Sequence, residues 1–490
     1  MKKEFPLGLS YDDVLLEPRY SIIKSRKNVS LKTNLTKNIK INLPIVSANM
    51  DTVTESKMAI ALAQMGGIGI IHRFMTIEHQ IEEVKKVKRF TNYIINNPFT
   101  LSPEQTIKDY EQLALDTGIN GFPVVDKNGT LIGIITRRDI AFQSNKNKTI
   151  KELMTSQSKL ITSHQGVSLE EATDLFAKHR IEKLPLVDKK NKLVGLIAAK
   201  DIRKTISFPD ASRDKKGQLL VGAAIGVSGD FMERAEALIK NHTDILVLDI
   251  AHGHSAIAIE ALKTLKKKYK NQEVIAGNVA TPEGVRDLIK AGANAVKVGV
   301  GPGSACSTRI VAGAGVPQLS AVLNCSQEAN KSGVPIIADG GIRFPADVVK
   351  ALAGGATTVM LGNLLAGTDE APGVIINKNG RRYKFYRGMA SFGANVTRRA
   401  MDTDDNNLLY DNLMIEGAEG LVPYRGKVQE VVDYLLNGLR SGMSYNNAGT
   451  IKDLSKNAKF VRITENSLKE SHPHDLTHAD NAPNYDVSGF

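Results

Sequence analysis

The stretch GVGPGSACSTR (299–309) sets one of only two cysteines in 490 residues among glycines, serines and an arginine. Cysteine is commonly a small apolar filler, but this neighbourhood does not read as a core. Its glycines remove side chains, so that the backbone can turn tightly and approach a ligand or cation closely. Ser304, the backbone amides and Arg309 are candidates for holding an anion. A thiol in such an electropositive, partly open loop is activated, because nearby positive charge favours the thiolate. Two more glycine-rich segments, ADGGIRF (338–344) and LGNLLAG (361–367), carry a related signature. Asp339, an acceptor only when ionised, suits a ribose diol. Tight turns alone would also explain the glycines, but three such loops in one place favour a covalent nucleophile beside a nucleotide monophosphate site.

What must position these loops is a set of nearly continuous apolar runs alternating with helical segments. The runs are LPIVSAN (43–49), GGIGII (66–71), LLVGAAIG (219–226), DILVLDIAHG (244–253), EVIAGNVA (273–280), AVKVGVG (295–301), VPIIADGG (334–341) and TTVMLGN (357–363). Strands of this kind are buried on both faces, and eight of them separated by helices predict an α/β fold, a (β/α)8 TIM barrel. Chemistry in such barrels sits at the carboxyl ends of the strands, where the Asp, Asn, Ser, Cys and Gly residues collect here. The last two glycine loops then follow strands seven and eight, the usual phosphate-binding place of the fold.

An internal repeat interrupts this pattern after the second strand. FPVVDKNGTLIGIITRRDI (122–140) matches LPLVDKKNKLVGLIAAKDI (184–202) at 9 of 19 positions with an offset of 62. Short β-rich runs, a turn and a following helix cap recur in both copies. The pair resembles a tandem of CBS domains, a Bateman module. That resemblance implies that Asp139 and Asp201 contact the ribose of adenine or guanine nucleotides; each also reads as a plain helix cap. The expected domains are therefore 1–90 and 208–490 for the barrel, with an inserted regulatory module at 91–207.

Over nearly its whole length the chain resembles the IMP dehydrogenase and GMP reductase family. The stretches that carry the likeness are GLSYDDVLLEPRYS (8–21), VSANMDTVTE (46–55), DIAHGHS (249–255), AGNVAT (276–281), GPGSACSTR (301–309), ADGGIR (338–343), YRGMAS (386–391), EGAEGLVPYRGKV (416–428) and ESHPHD (470–475). The resemblance implies that Cys306 attacks carbon 2 of a purine to form a thioimidate, with hydride passing to or from a nicotinamide cofactor, and that Thr308 and Glu416 handle protons. It also implies that Ser304, Asp339, Gly341, Gly362 and Tyr386 hold the ribose and phosphate, and that Ser47, Met50, Met389 and Glu416 surround the nucleoside and base. Asp249, His252 and Asn278 would face the cofactor. A potassium ion would take the backbone of Gly301, Gly303 and Cys306, completed by Glu470, Ser471 and His472 of a neighbouring subunit, which implies a homotetramer; octamers can form through Bateman contacts. Asn363 departs from the family's usual serine beside the phosphate, and Cys325 matches nothing and reads as packing.

The family's two activities share the covalent step and part afterwards. A dehydrogenase converts IMP, NAD+ and water to XMP and NADH, hydrolysing the thioimidate with an Arg-Tyr pair on a mobile flap; a reductase takes GMP and NADPH to IMP and ammonia. The flap region here spans about 386–430, and its 24 residues between Ser391 and Glu416 have dehydrogenase-like length. Yet ungapped comparison puts Asp402 and Thr403 where Arg and Tyr belong. An aspartate cannot supply arginine's positive charge, which leaves Arg398, Arg399 or the Thr308–Glu416 pair to activate water. The insert, the long flap and the ESH tail favour the dehydrogenase; the lost pair favours the reductase. A nucleotide-sensing protein without turnover is a third reading, against which the intact Cys306, Thr308 and Glu416 argue. A flavin oxidase has no use for a nucleophilic cysteine beside its phosphate.

Composition sets the outer bounds. The formal charge of +12 comes largely from scattered lysines such as KTLKKKYKNQ (263–272), a solvated helix face rather than a nucleic-acid stripe. Two cysteines make no disulfide framework, and no run reaches the roughly 18 apolar residues of a membrane span. The start, MKKEFPLGLSYDD, has no apolar run of signal-peptide length, so a cytoplasmic location is expected. The last residues, HADNAPNYDVSGF, read as a loose tail.

Overall fold

Strands that are apolar on both faces can satisfy their edges only by pairing on both sides, and here they close into a ring. The computed structural model describes residues 5–90, 94–95, 97–402 and 414–473. In chain order the strands are β1 (Ile45–Ser47), β2 (Ile68–Ile71), β3 (Val221–Ile225), β4 (Ile245–Asp249), β5 (Glu273–Val279), β6 (Ala295–Val298), β7 (Ile336–Asp339) and β8 (Thr358–Leu361). Each pairs in parallel with the next, and β8 pairs with β1. Between them run α1 (Ser56–Met65), α2 (Ile77–Phe90), α3 (Phe231–Lys240), α4 (Ala256–Lys268), α5 (Pro282–Lys290), α6 (Gln318–Asn330) and α7 (Pro345–Ala353). This is the (β/α)8 barrel that the apolar runs predict.

Every residue of β2, β3, β6 and β8 is buried. Val46, Ile70, Ala224, Val247, Ile275, Ala295, Ile337 and Met360, one from each strand, share a single interior cluster. The hairpin of Thr33–Asn34 and Lys40–Ile41 adds Leu35 and Ile41 to that cluster, while its Asn38 side chain donates to Glu273, the first residue of β5, at 2.8 Å. The amino-terminal end is thereby stoppered, and polar chemistry is confined to the carboxyl end.

Beyond β8, Ile375–Lys378, Arg381–Arg387 and Glu419–Pro423 form an antiparallel sheet in which Tyr386 faces Gly420 and Arg387 faces Glu419. Helix α8 (Phe392–Asp402) leaves this sheet, and α9 (Val428–Tyr445) follows it. Residues 403–413 lie outside the described residues, as do the side chains of 399–402, so Arg399, Asp402 and Thr403 are not placed.

The chain divides into two compact units, Met1–Phe90 with Asp210–Phe490, and Thr91–Pro209. Within the second, the two repeat copies have separate cores, one around Phe122 and Ile135 and the other around Leu184 and Ile197. Their turns exchange backbone bonds reciprocally: Leu131 donates to Asn191 at 3.0 Å and Leu193 to Gly129 at 3.1 Å. Equivalent positions of the repeat thus bond each other, which is how two similar copies make a local two-fold. Among the described residues, no helix is long and apolar enough to cross a membrane.

Candidate active site

Cys306 lies exposed in the loop after β6. Its Sγ stands 3.3 Å from Thr308 Oγ1, which donates to Glu416 Oε2 at 2.7 Å. Backbone bonds lock this line across 108 residues: Ser307 donates to the Glu416 carbonyl at 3.0 Å, Ala418 to Ala305 at 2.8 Å, and Glu416 to Ala390 at 3.0 Å. Thiol, hydroxyl and carboxylate therefore form a relay whose acceptor end is a carboxylate, a direction that draws a proton away from whatever sits beside Thr308.

Glycines shape the loop. Gly301 has φ +85°, and a Cβ there would lie 2.5 Å from the Arg309 side chain. Arg309 is folded beneath the loop, where its Nε donates to Val300 at 3.3 Å and its Nη2 to Val316 at 2.6 Å. This corrects its expected role toward an anion: the guanidinium is committed to carbonyls that a tight glycine turn leaves without strand partners. The 299–309 segment contains no carboxylate, so Gly301, Gly303 and Cys306 offer only neutral backbone oxygens. That donor chemistry fits a weakly charged hard cation such as potassium. Within the same chain, His472 lies with its ring 6.1 Å from Phe344, and Ser471 Oγ donates to Ser467 at 2.8 Å, just after the helix that ends at Glu470.

A second group gathers around Tyr386, which is 7% exposed. Its hydroxyl lies 3.8 Å from Met50 Sδ, and a Cβ on Gly362 would come within 3.0 Å of that hydroxyl. A side chain there would need the Tyr386 hydroxyl or Met50 to shift. Burial pushes the Tyr386 hydroxyl up, and hydrogen bonding to Ser304 partly offsets the shift. Ser47, at the end of β1, is fully buried and accepts from Thr54 at 2.8 Å. Met389 is half-buried in the segment leading into α8, and Asn363 opens the short helix Asn363–Ala366. Gly341, with φ +79°, packs over Tyr11 and Gln318.

The third group is ionic. Asp339 Oδ2 accepts from Lys297 Nζ at 2.8 Å and from Asn278 Nδ2 at 2.9 Å. Lys297 Nζ also lies 3.0 Å from Asp249 Oδ1. Burial works against each charge, pushing the Asp249 carboxyl up and the Lys297 ammonium down. Their attraction, with Arg73 and Asn49 near Asp249, wins, so Asp249 is held below the ordinary carboxylate range and Lys297 stays protonated. His252 is exposed in the loop after β4, with its ring 6.4 Å from His254. Cys325 is fully buried in α6, and burial pushes its thiol up to about 12.

Lys297 escaped the sequence reading. Its signal was a lysine inside the otherwise apolar run AVKVGVG, a residue almost never buried without a partner. In the inserted unit, Asp139 Oδ2 accepts from the Thr136 amide at 2.7 Å and the Thr136 hydroxyl at 2.8 Å, a capping box at the start of Arg137–Ile140. Asp201 sits at the equivalent place in Ala199–Ile206.

The family model for the IMP dehydrogenase / GMP reductase domain matches residues 8–474. The chain belongs to that family. An inosine-5'-monophosphate dehydrogenase from Nitrosopumilus maritimus is 51% identical over 96% of this chain and 99% of its own. That from Bacillus subtilis is 49% identical, covering 98% of each. Among solved structures, a cysteine-to-alanine variant of GMP reductase from Trypanosoma brucei, in complex with guanosine 5'-monophosphate, is similar with a TM-score of 0.87 and 45% identity over 96% of this chain and 99% of that one. The reductase from the same organism in complex with guanosine 5'-triphosphate gives a TM-score of 0.76 at 42% identity, over 94% and 98% of the two chains. In this family frame the three groups occupy one rim: the relay after β6, the tyrosine group around β1 and β8, and the ionic group across β4 to β7.

Proposed function

We propose that the protein is an IMP dehydrogenase, oxidising IMP with NAD+ and water to XMP and NADH. The observation that carries this reading is the set of curated IMP dehydrogenases at about half identity over nearly the whole chain, and the line from Cys306 through Thr308 to Glu416 supports the covalent and proton-transfer chemistry it requires. Cys306 Sγ adds to carbon 2 of the purine, its proton leaving toward Thr308 and Glu416. A bound nicotinamide cofactor supplies the hydride acceptor. Asp339, Gly341, Gly362, Ser304 and Tyr386 hold ribose and phosphate, while Ser47, Met50 and Met389 border the nucleoside. Asp249, His252 and Asn278 border the cofactor. Glu416, after passing the thiol proton to solvent, takes a proton through Thr308 from a water that attacks the same carbon; the carbon–sulfur bond then breaks, XMP leaves, and the proton on Glu416 returns through Thr308 to Cys306.

Further parts of the same proposal are a potassium ion on the carbonyls of Gly301, Gly303 and Cys306, completed by residues 470–472 of a second subunit in a tetramer or octamer. Adenine or guanine nucleotides at Asp139 and Asp201 of the CBS pair, and a cytoplasmic location, belong to it too. A specific observation favours a second reading, GMP reductase: ungapped comparison puts Asp402 and Thr403 where the Arg-Tyr pair belongs, and the solved neighbours named above are reductases. The test is nicotinamide absorbance with purified protein and potassium, comparing IMP plus NAD+ with GMP plus NADPH. NADH formation from IMP supports the dehydrogenase; NADPH loss with GMP alone replaces it with the reductase.

A further inference from the structure

Lys297 is 3% exposed, yet neither of its partners is a neighbour in sequence: Asp249 ends β4, and Asp339 ends β7. A lysine costs too much to bury as mere filler, and a barrel interior built from Val, Ile and Ala has no packing need for one. One ammonium stands between two carboxylates, 3.0 Å from Asp249 Oδ1 and 2.8 Å from Asp339 Oδ2. Asn278 Nδ2 completes the hold on Asp339 Oδ2 at 2.9 Å and also donates to the Gly299 carbonyl at 2.8 Å, leaving its own Oδ1 buried without a partner among the described residues. With one oxygen of each carboxylate bound to the lysine, the direction each aspartate presents to a ligand is set.

We propose that Lys297 is a positioning residue that couples the nucleotide and cofactor halves of the site, through the shared ammonium between Asp339 and Asp249. This rests on the assignment of Asp339 to the nucleotide ribose and Asp249 to the cofactor. The charge arithmetic gives the coupling its character. Two carboxylates and one ammonium leave a single negative charge, which the Arg73 guanidinium offsets on the Asp249 side only. Removing the ammonium leaves two carboxylates facing one partly buried space with no cation between them; Arg73 and Asn49 still favour the charge on Asp249, while Asp339 keeps only the neutral Asn278 donor, so ionising both becomes less favourable. A change on the cofactor side is then felt by the nucleotide, with no contact between the ligands required.

The experiment is calorimetric titration of the full-length protein with IMP and with GMP, for wild type, Lys297→Met and the double variant Lys297→Met/Asp249→Asn, followed by steady-state kinetics. Lys297→Met is expected to weaken nucleotide binding about tenfold and to raise the cofactor KM by a similar factor, with kcat changed much less. The double variant is expected to regain most of the lost nucleotide affinity, because Asp339 is again the sole carboxylate there and Asn278 still holds it. A lysine that only supports the barrel gives no such rescue. Additive losses in the double variant, or a KM effect confined to one ligand, overturn the coupling. Lys297→Gln, which keeps a donor without the charge, gives an intermediate loss if the coupling is electrostatic and near-wild-type affinity if a hydrogen bond alone suffices; the latter result also overturns it. Failure of wild type to bind either nucleotide overturns the family-based site assignment itself, and is distinguishable from failure of the coupling.

Discussion

Two aspartates read from the sequence as ribose ligands have opposite surroundings. Asp139, in the inserted unit, gives its Oδ2 to the amide and hydroxyl of Thr136, three residues away. Asp339, at the barrel rim, gives its Oδ2 to Lys297 and Asn278, which are 42 and 61 residues away and lie on other strands. The first environment is what any short helix provides for itself; the second exists only because a buried lysine and an asparagine are carried to the same point by separate strands. A carboxylate held by local capping has a sufficient structural reason to be there. One held by a buried cation across a barrel does not, and the ribose contact proposed for Asp339 is the reason we offer for it.

The largest test of this contrast separates binding from chemistry. Cys306→Ala is expected to reduce turnover by at least about a thousandfold while nucleotide affinity, measured by calorimetry, stays near wild type, because only the covalent partner is lost. Comparable losses in both would move the binding energy from the Asp339 group to the cysteine loop. Glu416→Gln keeps the hydrogen bond from Thr308 but removes the proton acceptor. A fall in kcat of about a hundredfold is expected, with little change in nucleotide affinity. An unchanged kcat would remove the relay from the mechanism.

Asp339→Asn is expected to weaken nucleotide binding by roughly tenfold or more, since a charge-assisted hydrogen bond is replaced by a neutral one and Lys297 keeps only Asp249. The smallest effect belongs to Asp139→Ala. Loss of its capping box should cost about 1 kcal/mol of stability in the inserted unit, read as a lower thermal midpoint, with basal turnover unchanged. If that variant also abolishes the response to ATP or GTP, Asp139 joins Asp339 as a ligand residue and the contrast drawn here narrows to one of degree.

Much of this was legible in the linear chain. Eight apolar runs predicted eight buried parallel strands, because burial on both faces leaves no polar alternation to disguise them. The cysteine among glycines was legible as chemistry because residue type and close spacing carry that signal, whereas Glu416 was named only through the family resemblance. The role of Arg309 was not: a loop arginine beside a thiol reads as an anion ligand, and only the fold of the glycine turn shows its guanidinium bonded to Val300 and Val316.

By itself, then, the sequence determined the strand pattern and the repeat and singled out Cys306 as the candidate nucleophile, all of which depend on near neighbours. Tertiary structure alone decided that Thr308 meets Glu416 across 108 residues and that Lys297 stands between Asp249 and Asp339. The physical reason is that a buried charge is tolerated only where its counter-charges arrive with it, and barrel closure is what brings them together.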